Sequence, residues 1–125
     1  VVLLIAACLS PSQVKDFTCL SHELGMEVLL EIHTESELTH FNKDIDLVGI
    51  NNRNLKDFKV DLQHSVHLKN FLPKETLSVA ESGIYSVEDF RFLKEKGFNG
   101  FLMGEYFMKN QNPGKAFEEF VNNLS

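Results

Sequence analysis

The sequence predicts an α/β fold built on a parallel sheet, and three observations support this prediction. Five short apolar runs alternate with segments of helical periodicity. Capping signals open most of those segments, and the spacing between runs suits simple right-handed crossovers. The runs also end in polar residues or glycine, which is typical of parallel strands whose carboxyl ends share a binding rim.

Length and composition define the broad class. A chain of 125 residues suits one domain, and 43% hydrophobic with 24% charged residues is typical of a globular protein. A formal charge of −6 argues against nucleic acid as a partner, because phosphate backbones require a basic face. No apolar run approaches the length that spans a membrane, so no membrane partner is expected.

The two cysteines and the start of the chain carry separate expectations. Cys8 and Cys19 show no metal-ligand or redox spacing, so we interpret them as reduced, buried thiols of a cytoplasmic protein.

The chain opens inside the apolar run 1–7 with neither an initiator Met nor a basic leader. We therefore expect a fragment whose natural N-terminal part is missing.

The first element is predicted as a strand over 1–8, buried on both faces. Ser10 then caps a helix, with Pro11 at its first position and Gln13 completing a capping box. Gly25 ends this helix. Its predicted inward face carries four apolar residues at helical spacing: Val14, Phe17, Leu20 and Leu24.

The middle of the chain supplies two further strands, over 26–33 and 45–51. Between them, Thr34 and Glu37 form a second capping box that opens a short helix to about Lys43. A polar loop without periodicity follows over 52–60.

The last third repeats the strand–helix pattern, with strands over 77–81 and 100–103. The helix before the first of these is ended by Pro73, and the helix between them begins at Ser86 and ends at Gly97. Asn112 and Pro113 cap the final helix. The predicted apolar faces of the three helices are Leu62, Val66 and Phe71; Val87, Phe90 and Leu93; and Phe117, Phe120 and Leu124.

Two architectures fit five such units: a doubly wound open sheet and part of an eight-stranded barrel. An open sheet collects functional residues from two or three strands at a switch point, whereas every barrel strand can contribute to the rim. Four strands here end in polar residues or glycine, namely Glu31, Asn51, Glu81 and Gly104. This distribution favours a partial (β/α)8 barrel of five parallel β/α units.

The strand ends predict acid–base chemistry. Glu31 lies inside an apolar strand, where a bare charge is costly, so it is either a strand-end acid that reaches water or a carboxylate held in a pocket. Asn51 and Glu81 at equivalent strand ends favour the pocket. We therefore predict Glu31, Asn51 and Glu81 as catalytic residues.

Glycines after the last two strands predict an anion site. Ser82 and Gly83, and Gly104 and Glu105, follow strands where barrel phosphate sites are frequently built. Backbone amides exposed there can bind a phosphate, although glycine also serves tight turns.

Charged and imidazole side chains add two expectations. Arg53 fits either a clamp for an anion or an exposed loop, and three glutamates on one rim require further cations from strands outside this chain. His64 and His67 lie on an outer helix without other ligands, which favours a surface pair over a metal site.

Taken together, the strand sequences resemble the indole-3-glycerol-phosphate synthase family over the whole chain. The segment Gly-Ile-Asn-Asn-Arg-Asn-Leu over 49–55 is highly specific in this setting, and Glu-Ser-Gly-Ile over 81–84 supports it. Three further runs that carry the resemblance are Val-Leu-Leu-Ile-Ala-Ala over 2–7, Glu-Val-Leu-Leu-Glu-Ile-His over 27–33 and Leu-Met-Gly-Glu over 102–105. The resemblance implies that residues 1–125 are strands four to eight of a single barrel domain, with strands one to three absent.

The resemblance also implies an activity, that of a carboxy-lyase of tryptophan biosynthesis that uses no cofactor or metal. It converts the phosphorylated substrate 1-(2-carboxyphenylamino)-1-deoxyribulose 5-phosphate into indole-3-glycerol phosphate, with loss of CO2 and water. Glu31 matches the family's general base, Asn51 a residue that holds substrate oxygens, and Glu81 a glutamate that orients a catalytic lysine. Ser82 and Arg53 match substrate-pocket residues, and the amides of Gly83, Gly104 and Glu105 match the phosphate cradle.

The family's two lysines on strands one and three are absent from the chain, so we predict that this polypeptide alone does not turn over substrate. Loss of a positioned acid typically costs about 10²–10⁴-fold in rate. One alternative is another phosphate-binding barrel, such as phosphoribosylanthranilate isomerase or the tryptophan synthase α subunit, which lacks the asparagine–arginine motif. The other is a non-catalytic half-barrel that self-associates through its open edges, or that pairs with the missing N-terminal part.

Overall fold

The computed structural model describes all residues 1–125, and it contains five strands and five α-helices. The strands are β1 Val2–Ile5, β2 Val28–Ile32, β3 Leu47–Asn51, β4 Ser78–Glu81 and β5 Gly100–Leu102. The α-helices are α1 Pro11–Glu23, α2 Leu62–Lys69, α3 Val87–Glu95, α4 Glu105–Met108 and α5 Pro113–Asn122. Two 3₁₀ turns, Ala6–Cys8 and Glu35–His40, complete the connections. None of the helices combines the length and the apolar character that crossing a membrane requires.

All five strands form one parallel sheet in the order β1-β2-β3-β4-β5. Sequential order with helical crossovers is the connectivity of a (β/α)8 barrel, and the structure confirms the predicted partial barrel of five units. Strands β1 and β5 form the two edges of the sheet. Each of these edge strands has a partner on one side alone.

The core lies between the sheet and the helices. Alternate strand residues on this side are fully buried, among them Leu30, Val48 and Ile50. Val14 from α1, Leu68 from α2 and Leu93 from α3 pack against them in one cluster. Burial of these apolar side chains is the main force that holds the five units together.

The opposite side of the sheet is the side that faces the interior of a complete barrel, and in this chain it is open. Leu3, Leu77 and Leu102 point to this side and are 46%, 49% and 55% exposed. Leu3 therefore contradicts the prediction that the first strand is buried on both faces. The strand is also shorter than predicted, because residues 6–8 form a 3₁₀ turn.

Both cysteines are free but exposed, so the prediction of buried thiols is wrong. Cys8 lies in the 3₁₀ turn beyond the end of β1, and Cys19 lies on the outer surface of α1. Neither position is covered by another layer of the structure.

The predicted inward face of helix α1 is largely wrong. Of its four predicted inward residues, Val14 is buried, whereas Phe17, Leu20 and Leu24 are exposed. Thr18 and Ser21 are buried instead, because their hydroxyls donate to the carbonyls of residues 14 and 17 at 2.7 Å. Similar errors occur at Phe71 and Phe117, which are exposed.

Capping signals predicted the helix starts well. Ser10 and Gln13 form the capping box of α1, and Thr34 and Glu37 form the capping box of the second 3₁₀ turn. Ser86 and Asn112 cap α3 and α5 as predicted. The short helix α4 lay within a segment for which no element was predicted.

Candidate active site at the carboxyl ends of the strands

A cavity of about 330 Å³ opens at the carboxyl ends of β2 to β5. It is reached from the open side of the sheet, where side chains of alternate strand residues point. All eight residues that the sequence singled out line this cavity: Glu31, Asn51, Arg53, Glu81, Ser82, Gly83, Gly104 and Glu105. Ile84, Tyr85, Leu102, Met103 and Tyr106 complete the lining.

The register of the sheet brings the three predicted catalytic side chains to one face. Glu31 pairs with Gly49, and Asn51 pairs with Glu81, so all three side chains project to the open side. Asn51 donates from Nδ2 to Oε1 of Glu31 at 3.3 Å, and its Oδ1 accepts from the backbone N–H of Arg53 at 2.9 Å. Asn51 is therefore fixed between the acid and the loop that follows its own strand.

Glu81 is the most perturbed acid of the chain. It is 2% exposed, and its Oε1 is buried without a hydrogen-bond partner. Burial, and after it the charge of Glu31, raises the pKa of Glu81 from 4.5 to about 8. Glu81 therefore carries a proton at neutral pH and can donate it or a hydrogen bond.

Gly49 creates the space that the Glu81 carboxyl occupies. A Cβ atom at position 49 would lie 1.9 Å from Oε1 of Glu81 and 2.8 Å from its Cδ. Any side chain on β3 at this point would push the carboxyl out of its buried position. Gly49 contributed to the sequence-based prediction only as part of a motif, and its steric role was missed.

The turn after β4 is held in an unusual conformation. Ser82 and Gly83 both have positive φ, 64° and 77°. Such a φ is strained for a serine. Buried Asn52 holds the turn, because its Nδ2 donates to the carbonyl of Ser82 at 3.1 Å and its backbone N–H donates to the carbonyl of Glu81 at 2.8 Å. The sequence analysis did not predict a role for Asn52. Its position next to Asn51 did give a signal, because strand alternation turns the Asn52 side chain to the side of the sheet opposite that of Asn51.

Three backbone amides are available in the part of the cavity lining that follows β4 and β5. The N–H groups of Gly83, Gly104 and Glu105 donate no hydrogen bond within the chain. Gly83 is also required sterically, since a Cβ there would lie 2.1 Å from Cγ1 of Val60. The free amides offer donors for an anion in this part of the cavity.

Arg53 does not lie in an exposed loop away from the cavity. Its Nη2 donates to Oε2 of Glu105 at 2.8 Å and lies 3.3 Å from the hydroxyl of Tyr85. The Tyr85 hydroxyl in turn donates to the same Glu105 oxygen at 3.4 Å. Glu105 thus offsets the charge of the one arginine that lines the cavity.

His64 contradicts the prediction of a surface pair. Its ring is half-buried, and Nε2 contacts the carbonyl oxygen of His33 in hydrogen-bonding distance. His67 does lie on the surface, where it approaches Glu35 at 3.7 Å. The two rings therefore have different surroundings despite their spacing on α2.

Comparison with known proteins adds independent information. The family model of indole-3-glycerol phosphate synthase matches residues 1–120. The chain is 47% identical over 120 residues to an indole-3-glycerol phosphate synthase of Bacteroides thetaiotaomicron, covering 96% of this chain and 46% of that protein. It is 44% identical over 121 residues to one of Legionella pneumophila, covering 96% of this chain and 47% of that protein. The chain spans about half the length of the curated relatives it matches.

Two solved structures share the fold. A chain of the tryptophan synthase a2b2 complex from Pyrococcus furiosus matches with a TM-score of 0.70 and 15% identity, over 99% of this chain and 53% of that one. A native KDPGal structure matches with a TM-score of 0.58 and 19% identity, over 91% of this chain and 67% of that one. At such identities the likeness concerns the fold alone.

The role of Gly49 can be tested by adding one methyl group. Gly49→Ala is expected to destabilise the fold by about 1–3 kcal/mol, because the new Cβ and the Glu81 carboxyl require the same space. Gly104→Ala is the matched control, since a Cβ at position 104 would meet no atom within 4 Å and the φ of this residue is −119°. Urea unfolding measures both variants. Equal stabilities would contradict the proposed packing.

The proton on Glu81 makes stability depend on pH. Between pH 4.5 and 8 the folded chain holds a proton that the unfolded chain has released, so stability falls as pH rises through this window. The slope reaches at most about 1.4 kcal/mol per pH unit. Glu81→Gln should remove this contribution and stabilise the fold at pH 8 but not at pH 4. Glu119→Gln, an exposed acid on α5 outside the cavity lining, should leave it in place. Urea titrations at several pH values compare the three proteins.

Proposed function

The chain belongs to the indole-3-glycerol phosphate synthase family, and on this basis we propose that it supplies part of the active site for indole-3-glycerol phosphate formation. The proposed substrate is 1-(2-carboxyphenylamino)-1-deoxyribulose 5-phosphate, which undergoes decarboxylating ring closure and then dehydration. One observation carries the proposal: all eight residues that match the family's site line a single cavity.

The surroundings of the two buried acids suit different roles. Ring closure needs a hydrogen-bond or proton donor at the carbonyl oxygen, and dehydration needs a base that removes a proton. Glu81 is protonated at neutral pH and serves as a donor, whereas Glu31 serves as the base. Asn51 bonds to Glu31 and so places its amide beside the same reacting centre, where it holds a substrate oxygen.

The substrate phosphate is proposed to bind at the part of the cavity lining that follows β4 and β5. The free amides of Gly83, Gly104 and Glu105 donate to its oxygens, with Ser82 and Arg53 nearby. Glu105 offsets the charge of Arg53, so this chain provides little net positive charge for a dianion. Further cations therefore come from outside it, as the two family lysines would.

We also propose that the chain is the C-terminal part of one (β/α)8 barrel domain. Five strands supply the units from strand four onward, and a closed barrel of this type needs eight. The remaining strands close the sheet between β5 and β1 and cover the exposed leucines of the open side. Alone, the chain is expected to lack synthase activity.

Complementation tests the proposed function. The 125-residue chain is mixed with the N-terminal part of the Bacteroides thetaiotaomicron relative that lies outside the match, and indole-3-glycerol phosphate is followed by fluorescence. The mixture should form product, and the chain alone should not. Glu31→Gln should lower the rate of the mixture by about 10²–10⁴-fold, because the base is lost.

The exposed Glu119→Gln on α5 is the control and should leave the rate unchanged. Two results would contradict the proposal: enzyme-like turnover by the chain alone, or no product from a mixture that has formed a folded complex. An unchanged rate for Glu31→Gln would instead remove Glu31 from the proposed role.

A second candidate function is assembly with another copy of the chain. The exposed Leu3, Leu77 and Leu102 on one side of the sheet, together with two edge strands, favour it. Light scattering should then give a mass above that of the monomer. Leu102→Lys should reduce this mass, whereas Phe117→Lys on the outer surface of α5 should not. A monodisperse monomer with a cooperative thermal transition would contradict self-association.

A further inference from the structure

His33 follows β2, and its imidazole is buried between two carboxylates. The side chain is 4% exposed. Nε2 lies 2.9 Å from Oε1 of Glu31, and Nδ1 lies 3.7 Å from Oε2 of Glu37. The shorter contact has the length of a hydrogen bond without its ideal direction, since neither ring nitrogen has an aligned partner.

The backbone around His33 is fixed from two elements. Oε2 of Glu37 accepts from the N–H of His33 at 2.6 Å and from the N–H of Thr34 at 3.3 Å. The ring of His64 on α2 contacts the carbonyl oxygen of His33. Because both sides of the residue are held, the imidazole has little freedom to leave Glu31.

The hydrogen-bonding capacity of the imidazole indicates what His33 can do for Glu31. An imidazole nitrogen that carries a hydrogen can donate to a carboxylate oxygen, so Nε2, which lies 2.9 Å from Oε1 of Glu31, can donate to Glu31 when it carries that hydrogen. His33 is the one basic side chain within 4 Å of the Glu31 carboxylate, since the guanidinium of Arg53 is paired with Glu105. Without His33, Glu31 would be left beside Glu81 with only the neutral amide of Asn51 as a donor.

We propose that His33 is a positioning residue, whose imidazole contacts the Glu31 carboxyl and keeps it aimed into the cavity. The role of Glu31 as a base rests on the proposed function; the contact between His33 and Glu31 does not. His33 lies two residues after Glu31, so strand alternation could have indicated that both side chains share a face.

Other titratable groups surround this arrangement. His33 and Glu37 also line a second, polar cavity of about 580 Å³, on the far side of the ring from the site. The charged and titratable groups that face it come from α2 with its cap and from the loop after β3: His64, Asp61, Lys56, Asp57 and Lys59. Glu81 on β4 acts on the near side, through its coupling to Glu31.

Carboxyl titration by NMR tests the proposal in the chain itself, with ¹³C-labelled glutamate. In the natural sequence, Glu81 should lose its proton in one step near pH 8. In His33→Leu, Glu31 competes for that proton, so the Glu81 titration should split into two steps. His33→Gln retains a donor near the Nε2 position and should preserve the single step.

Two further variants keep the test decisive if His33→Leu does not fold. His33→Asn keeps a donor near the Nδ1 position but cannot reach Glu31, so the Glu81 titration should again show two steps. This variant replaces His33→Leu if His33→Leu does not fold. Glu35→Gln changes an exposed acid of the same 3₁₀ turn and should have no effect. A single step near pH 8 in a folded His33→Leu or His33→Asn would overturn the proposal.

Kinetics of the complemented protein give a second readout. His33→Leu should lower kcat by up to about 10²-fold, as a misplacement of a catalytic group by about 1 Å can do. KM should change by less than about threefold, and His33→Gln should recover most of the rate. Unchanged kcat in His33→Leu would overturn the proposal. If the natural sequence shows no synthase activity in a folded complex with the N-terminal part, the proposed function fails, and the NMR titration still decides the role of His33.

Discussion

The parallel register of β2, β3 and β4 is the constraint on which the rest of the site depends. Glu31 pairs with Gly49, and Asn51 pairs with Glu81. This alignment puts three polar side chains on one face and leaves a gap in the middle strand that the Glu81 carboxyl fills. Because a shift of one residue would turn every side chain to the opposite face, the hydrophobic helix-facing core fixes the chemistry of the other side as well.

Much of this architecture could be predicted from local sequence. Strand ends, capping boxes and the glycines that end helices are determined by neighbouring residues, and Ser10, Thr34 and Ser86 were therefore identified correctly. The eight site residues could also be identified, since each lies at or just beyond the end of an apolar run. Their proximity then required only that the strands be parallel.

Other features depend on contacts between distant segments and could not be predicted. Hydropathy alone assigned Phe17 and Leu20 to the core, but the turn of α1 against the sheet buries Thr18 instead, with its hydroxyl bonded to its own helix. The prediction for β1 failed because burial on two faces requires a second layer. Nothing in the run itself indicates that this chain covers only one face.

The electrostatics of the site follow from the lack of an unpaired basic group beside Glu81. Arg53 is offset by Glu105, and His33 is shared by two carboxylates, so no basic group remains free beside Glu81. Burial next to Glu31 then favours the neutral form of Glu81. The chain thus keeps a protonated acid beside a second buried carboxyl group, using only its own side chains.

Gly49 and Glu81 have a consequence for how such sequences can change over time. The two positions are 32 residues apart along the chain, yet the volume of one is defined by the absence of a side chain at the other. A larger residue at 49 requires the Glu81 side chain to move or to be replaced by a shorter one, so substitutions at the two positions depend on each other. In this chain, the glycine in the middle of β3 thus marks the space that the buried acid at the end of β4 occupies.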